Sequence, residues 1–474
     1  MRRGYIVVLD VGKSLTKLTL WSPQRRMVDR RARANLSHDV DGFLCLDVPG
    51  ITSWLEETLS QFARQGDIAA IIPVGHGAAA CLVDDRGLAQ PSLDYEDTPP
   101  EDLHGSYNAA RDPFNITGSP CLPGGLNLGA QLFWLENAAS RGTQDRAHDA
   151  QILTWPQYWS WLLCGIAASE VTSLGCHSDL WMPLAGGPSP LAVSRGWAGR
   201  LAPRRAAGDI LGPVSDVWRT ACGLPKDCVV LCGIHDTNAA LLAARQYSEV
   251  AGGACTMLST GTWFIAMRTL APDASVDLGS LTEERDCLVN VDAFGAPVPS
   301  SRFMGGREAE ILEDGEPIDP RAFTDDLLRI AREMAEQKIF ALPTFQNGVG
   351  AFPNAKGGWT RRPHSQMERR AVTSLYLALM ADTSLDLIGS HDKLVIEGRF
   401  AGDMVFARAL AALRPDQVVY RSQVADNVPL GALQLVDDRL PPQSALARVI
   451  PLEIELDAYA GEWRALAGRD AFAA

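Results

Sequence analysis

The distribution of apolar residues at the start of the chain predicts three strands. Tyr5–Leu9 is a compact apolar run, rich in β-branched residues, that stops at Asp10 and Gly12, and such a run is typical of a buried strand. Thr16–Trp21 alternates polar with apolar residues and predicts a second strand, and Met27–Ala32 predicts a third. The chain therefore opens with a strand, a tight turn and a returning strand.

Further along the chain the pattern predicts helices, interrupted by two short strands. The predicted helices are Ile51–Gln65, Leu126–Ser140, Gln157–Cys164, Thr237–Arg245 and Leu456–Leu466. The predicted strands are Ala69–Val74 and Cys228–Cys232, which run into Gly75-His76-Gly77 and Gly233-Ile234-His235-Asp236. Each strand therefore leads into a short segment that contains glycine and histidine.

The opening layout recurs in the second half of the chain. Ala254–Leu258 and Trp263–Met267 predict a strand pair around the turn Ser259–Thr262, and Gly261 of this turn lies 249 positions after Gly12. A repeat of this kind indicates two domains of related α/β fold. A similarity this short also arises by chance, and that alternative stays open.

Composition agrees with a globular protein of more than one domain. The chain has 474 residues, of which 46% are hydrophobic and 21% charged. Roughly 100–200 residues per domain gives two to four domains, and the repeat narrows this to two, residues 1–247 and 248–474. The 43 basic and 57 acidic residues give a net charge of −14, which disfavours nucleic acid as a partner. A local cradle for a small phosphorylated ligand remains compatible with this charge.

The cysteine pattern and the hydropathy favour the cytoplasm. Ten cysteines lie between Cys45 and Cys287 without a Cys-x-x-Cys pair, so we expect free, buried thiols in a reducing compartment. The first apolar run is only a strand long, unlike a signal peptide. No uninterrupted run of about 18 apolar residues occurs, so no membrane span is predicted.

Two turns are candidates for binding phosphate. The first contains Gly12, Lys13, Ser14 and Thr16 and is no P-loop, because that motif requires glycine where this chain has Val7. Its amides, hydroxyls and lysine would still wrap a phosphate oxygen. The second turn contributes the hydroxyl groups and amides of Ser259, Thr260, Gly261 and Thr262. Ordinary polar turns, the first with a solvated lysine, are the alternative.

Two aspartates at predicted strand ends are candidates for the chemistry of phosphoryl transfer. Asp10 suits magnesium, which prefers one or two carboxylates plus waters, or it simply forms the turn. Asp236 precedes a predicted helix, whose N-terminus favours the ionised carboxylate. Such a carboxylate would accept the proton of a substrate hydroxyl. A plain helix N-cap is the alternative reading of Asp236.

The order of these motifs resembles the FGGY family of carbohydrate kinases. The resemblance runs through most of the chain and is strongest at Leu9–Leu20, Leu231–Ala244 and Leu258–Met267, while Val171–Trp181 and Ser300–Glu308 look closest to rhamnulokinases and fuculokinases. It implies two ribonuclease H-like (actin-like ATPase) domains flanking a cleft. It also implies ATP-dependent phosphorylation of a ketose or deoxyketose, such as L-rhamnulose or L-fuculose.

The resemblance assigns roles to individual residues. Asp236 matches the catalytic base, and Asp10 matches the carboxylate near magnesium and the γ-phosphate of ATP. The first phosphate loop corresponds to Gly12, Lys13, Ser14 and Thr16, and the second includes Gly261 and Thr262. The N-terminal domain would bind the sugar and the C-terminal domain the nucleotide, and the resemblance is compatible with a homodimer.

Further resemblance concerns the sugar pocket, which Gly75, His76, Trp155 and the acidic stretch Asp94–Asp97 match. A neutral sugar needs hydrogen-bonding groups and an aromatic face, and these residues supply both. Structural alternatives stay open: His76 as a turn histidine, Trp155 as a core residue and Asp94–Asp97 as a solvated acidic loop.

One segment departs from the family pattern. The adenosine segment, usually Gly-Gly-Gly-Ala, corresponds here to Glu397–Ala401, in which only Gly398 and Ala401 fit. Phe400 would stack on a base or block one. This departure motivates an alternative function, a catalytically degenerate sugar-binding sensor or scaffold of the same fold. A third hypothesis is an actin- or chaperone-like ATPase that acts on protein partners.

Overall fold

A computed structural model describes residues 4–138, 144–315, 318–424, 426–442 and 444–470 of the chain. These residues form two compact units. The first, called the N-unit, comprises 1–243, 289–297 and 428–440, and the second, the C-unit, comprises 244–288, 298–427 and 441–474. The main change of unit falls four residues before the predicted boundary, and two short segments of the second half belong to the N-unit.

The described strands, in chain order, are β1 (Tyr5–Val11), β2 (Leu15–Trp21), β3 (Met27–Ala34), β4 (Ser37–Val40), β5 (Phe43–Leu46), β6 (Ile68–Gly75), β7 (Ala80–Asp84), β8 (Gly87–Leu88), β9 (Gln151–Thr154), β10 (Trp181–Met182), β11 (Gly187–Pro188), β12 (Ile210–Pro213), β13 (Val229–Leu231), β14 (Ile234–His235), β15 (Cys255–Thr260), β16 (Phe264–Thr269), β17 (Cys287–Val291), β18 (Pro297–Phe303), β19 (Ala341–Leu342), β20 (Gly358–Trp359), β21 (Lys393–Gly398), β22 (Val419–Arg421) and β23 (Ala447–Arg448).

The described α-helices are α1 (Val48–Ala63), α2 (Glu101–Ala110), α3 (Phe114–Thr117), α4 (Leu128–Ala138), α5 (Gln144–Asp149), α6 (Trp155–Cys164), α7 (Val171–Leu174), α8 (Pro190–Ser194), α9 (Trp197–Arg200), α10 (Asp216–Cys222), α11 (Asp236–Ala244), α12 (Gly305–Leu312), α13 (Thr324–Glu336), α14 (Gln366–Leu387), α15 (Met404–Leu413), α16 (Val428–Gln434) and α17 (Leu456–Asp470). Every strand and helix predicted from the pattern is present, with ends that differ by a few residues. Ala139 and Ser140, the end of one predicted helix, lie outside the described residues.

The N-unit is built on a mixed sheet in the strand order β12-β13-β6-β1-β2-β3. β1, β2 and β3 form an antiparallel meander, whereas β6 pairs in parallel with both β1 and β13. All eight residues of β6 are buried, because a central parallel strand is covered on both faces. β3 is a mostly exposed edge strand that carries three arginines, and such charges discourage edge-to-edge pairing.

Helix α1 illustrates how the N-unit core is assembled. Its buried residues include Ile51, Leu55, Leu59 and Phe62, which recur every three or four positions and so form one apolar face. Burying each of these side chains contributes about 1.5–3 kcal/mol. Asp47 caps the helix by accepting a hydrogen bond from the Gly50 amide at 2.9 Å. The four apolar side chains of α1 join the core cluster that contains the apolar residues of β1, β2 and β6.

The C-unit repeats the strand arrangement of the N-unit. Its sheet contains the order β18-β16-β15-β21-β22-β23, in which β15 is antiparallel to β16, and β16 to β18. β21 pairs in parallel with β15 and with β22. β15, β16 and β21 thus take the places of β1, β2 and β6, and the predicted α/β class with a repeated strand–turn–strand opening is confirmed.

Two further expectations concern cysteines and membrane spans. The ten cysteines form no disulfide, and most are buried, as the sequence predicts. Within the described ranges, every helix is too short or too polar to cross a membrane.

Candidate active site

Three parallel strands of the N-unit end side by side. In the register of β1 with β6, Val11 lies opposite Gly75, and in the register of β14 with β6, His235 lies opposite Gly75 as well. The segments that follow Val11, Gly75 and His235 therefore start at the same sheet edge. Ligands of open α/β sheets bind at such carboxyl ends, and Asp10 and Asp236, far apart in the sequence, reach the same edge.

The Asp236 carboxylate is held through one of its two oxygens. Oδ1 accepts hydrogen bonds from the backbone amide of Thr237 at 2.5 Å and from its hydroxyl at 3.1 Å, and His235 Nε2 lies 3.2 Å from the same oxygen. Oδ2 makes no hydrogen bond within the described part of the chain. The side chain is 27% exposed, so this second oxygen is available to accept a proton from a bound molecule.

Asp10, at the end of β1, is almost completely buried, with 4% of the residue exposed. Its Oδ2 lies 2.9 Å from Nζ of Lys17, the residue directly opposite it in the β1–β2 register. The lysine compensates the charge of the buried carboxylate. The hairpin register thus fixes both members of this ion pair.

Lys13, in the turn between β1 and β2, pairs with an acidic group. Its Nζ donates a short hydrogen bond to Asp94, lies 3.4 Å from Glu96 and stands 5.2 Å from the ring centre of Tyr95. Asp94 also accepts a short hydrogen bond from Ser37. Burial raises the pKa of Asp94, but the hydrogen bonds from Lys13, Ser37 and the Glu96 amide outweigh it, so the pKa lies below its ordinary value.

The rest of the first turn is stabilised by backbone contacts. The Gly12 amide donates to Leu15 O at 3.0 Å, and Asn35 Nδ2 donates to Gly12 O at 2.7 Å. Thr16 is fully buried and donates its hydroxyl to Asn35 Oδ1 at 2.7 Å, whereas Ser14 is exposed. Ser14 and the turn backbone are therefore more accessible to a phosphate group than the Thr16 hydroxyl is.

His76 follows β6 and is 8% exposed. The Ala78 amide donates to its Nδ1 at 3.2 Å, so the neutral ring carries its proton on Nε2, which has no partner within the described part of the chain. Burial lowers the pKa of His76 to about 4. Its ring packs edge-on against Tyr95 at 5.8 Å and beside Trp155 at 5.7 Å.

Trp155 begins α6 beneath the ends of these strands. It is 1% exposed, and its indole N–H donates to Val11 O at 3.0 Å. A Cβ on Gly75 would lie 2.8 Å from Cδ1 of this ring, which explains why glycine occupies that position. Trp155 therefore braces the ends of β1 and β6 against α6.

The second predicted phosphate turn lies in the C-unit, between β15 and β16. The Gly261 amide donates to Trp263 O at 2.9 Å, and Thr262 is exposed while Ser259 is half-buried. Thr260 is fully buried, and its hydroxyl donates to Glu397 O and accepts from the Phe400 amide. Thr260 thus fastens this turn to the end of β21.

Gly398, at the end of β21, lies opposite Thr260 in the parallel register. Its φ of +87° is accessible mainly to glycine, and a Cβ would lie 2.7 Å from Thr260 O. A cavity of about 650 Å³ opens beside it in the C-unit and is lined by Ile318, Asp319, Pro320, Arg321, Arg370, Gly398, Arg399, Phe400, Ala401, Gly402, Arg421, Ser422, Gln423 and Val424.

Phe400 belongs mainly to the wall behind this cavity. It is 2% exposed, and its ring packs against Phe264 at 5.1 Å. The guanidinium groups of Arg370 and Arg399 stand 5.7 and 5.4 Å from the ring centre. Since the ring turns into the apolar core, it leaves the adjoining space open.

Several groups near these sites were not assigned from the sequence. Lys17 could have been found, because the predicted hairpin places it opposite Asp10. His235 belongs to the segment Gly233-Ile234-His235-Asp236, but the sequence suggested no role for it. In the structure its Nε2 lies 3.6 Å from Sγ of Cys176, a contact between segments that are distant in the sequence. Arg370 and Arg421 line the cavity from separate elements, and no local pattern indicates this.

The comparisons with known proteins agree with this architecture. Residues 252–444 match the family "Carbohydrate kinase FGGY, C-terminal domain". A carbohydrate kinase from Novosphingobium aromaticivorans is 47% identical, with a TM-score of 0.88 over 97% of this chain and 100% of that one. No curated protein matches the chain.

More distant structures share the fold. A xylulose kinase from Rhodospirillum rubrum is 19% identical with a TM-score of 0.74, over 98% of this chain and 97% of that one. A glycerol kinase from Plasmodium falciparum, solved with ADP, is 12% identical with a TM-score of 0.75, over 99% of this chain and 98% of that one.

Fold and relatives together define an enzyme that transfers a phosphoryl group, with the two-domain actin-like ATPase fold. The chain belongs to the FGGY family of carbohydrate kinases.

Proposed function

We propose that the protein uses ATP to phosphorylate a hydroxyl group of a ketose or deoxyketose, with L-rhamnulose and L-fuculose as the first candidates, and that Asp236 is the general base. The observation that carries this proposal is the asymmetry of the Asp236 carboxylate. Oδ1 is occupied by Thr237 and His235, whereas Oδ2 is free to accept a proton within the described part of the chain.

The reaction would proceed as a direct transfer. Oδ2 of Asp236 accepts the proton of the sugar hydroxyl while the hydroxyl oxygen forms a bond to the γ-phosphorus of ATP. The bond from that phosphorus to the bridging oxygen breaks, and ADP leaves. Positioning and electrostatic stabilisation account for most of the catalysis in such transfers, and a positioned base contributes about 10²–10⁴-fold.

The phosphate groups would contact the two predicted turns. In the first, Lys13 and Ser14 offer an ammonium, an exposed hydroxyl and their amides, while the Gly12 amide closes the turn on Leu15 O. In the second, the exposed Thr262 offers a neutral donor, while the Gly261 amide closes the turn on Trp263 O. Thr16, Ser259 and Thr260 support these turns, since the Thr16 and Thr260 hydroxyls are already hydrogen-bonded within the protein.

Magnesium fits the carboxylate that β1 presents. The described residues contain no group of three or more histidine, cysteine or acidic side chains that would cage a metal, and magnesium is typically bound by one or two carboxylates together with phosphate oxygens. Asp10 is the residue that would hold the ion. When bound, the ion would neutralise charge on the transferred phosphoryl group.

The cavity beside Gly398 would receive the base and ribose of ATP. Phe400 does not fill it, so the bulk that motivated the sensor hypothesis lies in the core. The Arg421 side chain makes no ion pair or hydrogen bond with the described residues and lines the cavity, so its guanidinium is available to a nucleotide.

The sugar would lie near His76, whose buried Nε2–H is a donor without a partner among the described residues. A buried donor of this kind gains a hydrogen bond when a sugar hydroxyl accepts from it. Asp94 stands nearby but is engaged by Lys13. Trp155 would support the sugar pocket indirectly, because its ring packs against Gly75.

A coupled ADP assay with a panel of sugars tests the proposal. We expect turnover with one ketose of the set L-rhamnulose, L-fuculose and xylulose, the last because a relative carries that name. Turnover with glycerol alone would contradict the proposed substrate class. Asp236→Asn preserves the shape of the side chain and should reduce kcat at least about 10²-fold without loss of sugar binding. Full activity of this variant would refute the assignment of the base.

Calorimetry separates the kinase from the sensor. The kinase should bind ATP with magnesium, and Arg421→Ala should weaken that binding, while a sensor would bind sugar alone. The homodimer and the cytoplasmic location remain predictions.

A further inference from the structure

A chain of three side chains ends on the proposed base. Nε2 of His235 lies 3.2 Å from Oδ1 of Asp236 and 3.6 Å from Sγ of Cys176. Cys176 and His235 are buried, at 4% and 6% exposed. One ring nitrogen is therefore shared between the carboxylate and a thiol that lies 60 residues earlier in the sequence.

The fold holds the His235 ring in this position from several sides. Its backbone amide donates to the Thr172 hydroxyl at 3.1 Å, and that hydroxyl contacts the buried carboxylate of Glu170. A Cβ on Gly77 would lie 3.1 Å from His235 Nε2 and 2.6 Å from Cys176 Sγ. The glycine after β6 therefore leaves just enough room for the histidine and the thiol to meet.

Asn238 accommodates either protonation state of the ring. Its Nδ2 lies 3.1 Å from His235 Nδ1, while its Oδ1 is buried without a partner among the described residues. The amide group donates to an unprotonated Nδ1, and a half-turn of the amide brings Oδ1 into position to accept from Nδ1–H. A cationic ring thus finds an acceptor at each nitrogen.

The charged groups around His235 favour the cation. Burial lowers the pKa of His235, but Cys176, Asp236 and Glu170 outweigh it and raise the pKa to about 9. Burial raises the pKa of the Cys176 thiol, but the neighbouring His177 and His235 lower it by more, so it falls to about 5. His76, also close enough to interact, is neutral.

We propose that His235 is a positioning residue for the kinase reaction: as an imidazolium paired with the Cys176 thiolate, it fixes Oδ1 of Asp236, which turns Oδ2 toward the sugar hydroxyl. This inference rests on the proposed role of Asp236 as the base. It adds an ion pair between His235 and Cys176 next to Asp236, and it gives the buried Cys176 a function.

The close contact of His235 with Asp236 and the charge on the ring should have separate effects on catalysis. A cation beside a carboxylate favours its ionised form, so the loss of the cation should move the acidic limb of the pH–rate profile upward. His235→Gln can keep an N–H donor but loses the charge. His235→Ala loses both, and Oδ1 of Asp236 then keeps its contacts with Thr237 alone.

Steady-state kinetics of these variants between about pH 5 and 9 is the first measurement. We expect His235→Ala to lower kcat about tenfold or more, with KM for the sugar little changed. His235→Gln should recover most of kcat at pH 8 but lose activity at a higher pH than the wild type as the medium is acidified. Equal losses in both variants, with an unshifted acidic limb, would mean that His235 only supports the fold.

Nuclear magnetic resonance of imidazole groups supplies a readout that requires no activity. His235 should titrate well above the usual value of about 6.5, and Cys176→Ser should lower its pKa by about a unit or more, because the anionic partner is lost. A titration near the usual value, insensitive to Cys176→Ser, would overturn the inference.

Matched controls use exposed residues of the same types. His148→Gln and Cys121→Ser alter side chains that lie at the surface and should leave both the pH profile and the His235 titration unchanged. If the wild type phosphorylates no sugar, the proposed function fails while the His235 titration still reports on the ion pair. If the wild type is active and His235 titrates normally, only the inference fails.

Discussion

Replacement of Arg370 by methionine tests whether a buried ion cluster maintains the wall of the cavity beside Gly398. Arg370 lies in α14, and its guanidinium donates to Glu313 and to Asp403. The three side chains are only 5%, 5% and 1% exposed. Methionine fills similar volume without charge, so the substitution removes the cation and leaves both carboxylates in the interior.

The two carboxylates would respond differently to the substitution. Asp403 keeps hydrogen bonds from the amides of Val405 and Phe406 at 3.0 and 3.1 Å and from the hydroxyl of Ser374 at 2.7 Å. Glu313 keeps no comparable donor among the described side chains. Breaking a buried ion pair from one side costs about 3–5 kcal/mol, and we expect about 4 kcal/mol, close to a thousandfold in the unfolding equilibrium.

A second substitution separates charge from packing. Glu313→Leu removes the unpaired carboxylate, so the double variant with Arg370→Met should regain about 2 kcal/mol of the loss. Hydrogen exchange of peptides from α14 and α15 is the suitable assay, because it reports the free energy of local opening in a chain with two compact units. A loss below about 1 kcal/mol in Arg370→Met, or a double variant no better than the single one, would refute the reasoning.

The pH dependence of this variant has a defined sign. Burial raises the pKa of Glu313, and Arg370 opposes that rise, so the loss of Arg370 raises the pKa further. The folded variant then binds a proton that the unfolded chain releases at neutral pH. The destabilisation is therefore full at pH 7 and shrinks as the pH falls toward the ordinary pKa of glutamate.

Three other predictions concern the N-unit. Gly77→Ala should reduce kcat, because the added Cβ would lie 2.6 Å from Cys176 Sγ. The control Gly105→Ala in α2 has open space around its added Cβ, so it should leave kcat unchanged and keep or raise the melting temperature. Burial raises the pKa of Glu170 to about 7, so stability should fall as the pH rises toward 7, and Glu170→Gln should abolish that slope in melting temperatures recorded from about pH 4 to 8. Lys13→Met should raise KM for ATP about tenfold, and unchanged nucleotide kinetics would exclude Lys13 from the phosphate site.

The elements that carry the site could be predicted because their signals are local. Tyr5–Leu9 and Ala69–Val74 are continuous apolar runs, and such runs form buried strands in most contexts. Asp10 directly follows the predicted strand Tyr5–Leu9, and Asp236 comes four residues after the predicted strand Cys228–Cys232. Their positions near the ends of strands therefore follow from local signals. The pairing of β6 with both β1 and β14, which brings the two aspartates to one edge, depends on contacts between distant segments.

Partners that come from distant segments escaped prediction for the same physical reason. The sequence did not indicate that the Asp94 carboxylate pairs with Lys13 and Ser37, and its place in a sugar pocket stays a prediction. The sequence suggested that Phe400 either stacks on a base or blocks one. Instead its ring is buried against Phe264 in the core. The direction in which a side chain turns is decided by its neighbours in space.

The charges at the N-unit strand ends bear on how a triphosphate could be accepted by an acidic protein. Asp10 and Asp94 pair with Lys17 and Lys13, while Asp236 and Glu96 add two negative charges, and a pair formed by His235 and Cys176 would add none. Four carboxylates and two ammonium groups leave a local charge of about −2, which repels phosphate at short range. A divalent cation brought by the nucleotide removes that repulsion, whereas a neutral sugar is unaffected by it. The charge balance therefore predicts that ATP binds this unit productively only with magnesium, and that the sugar binds with or without the metal.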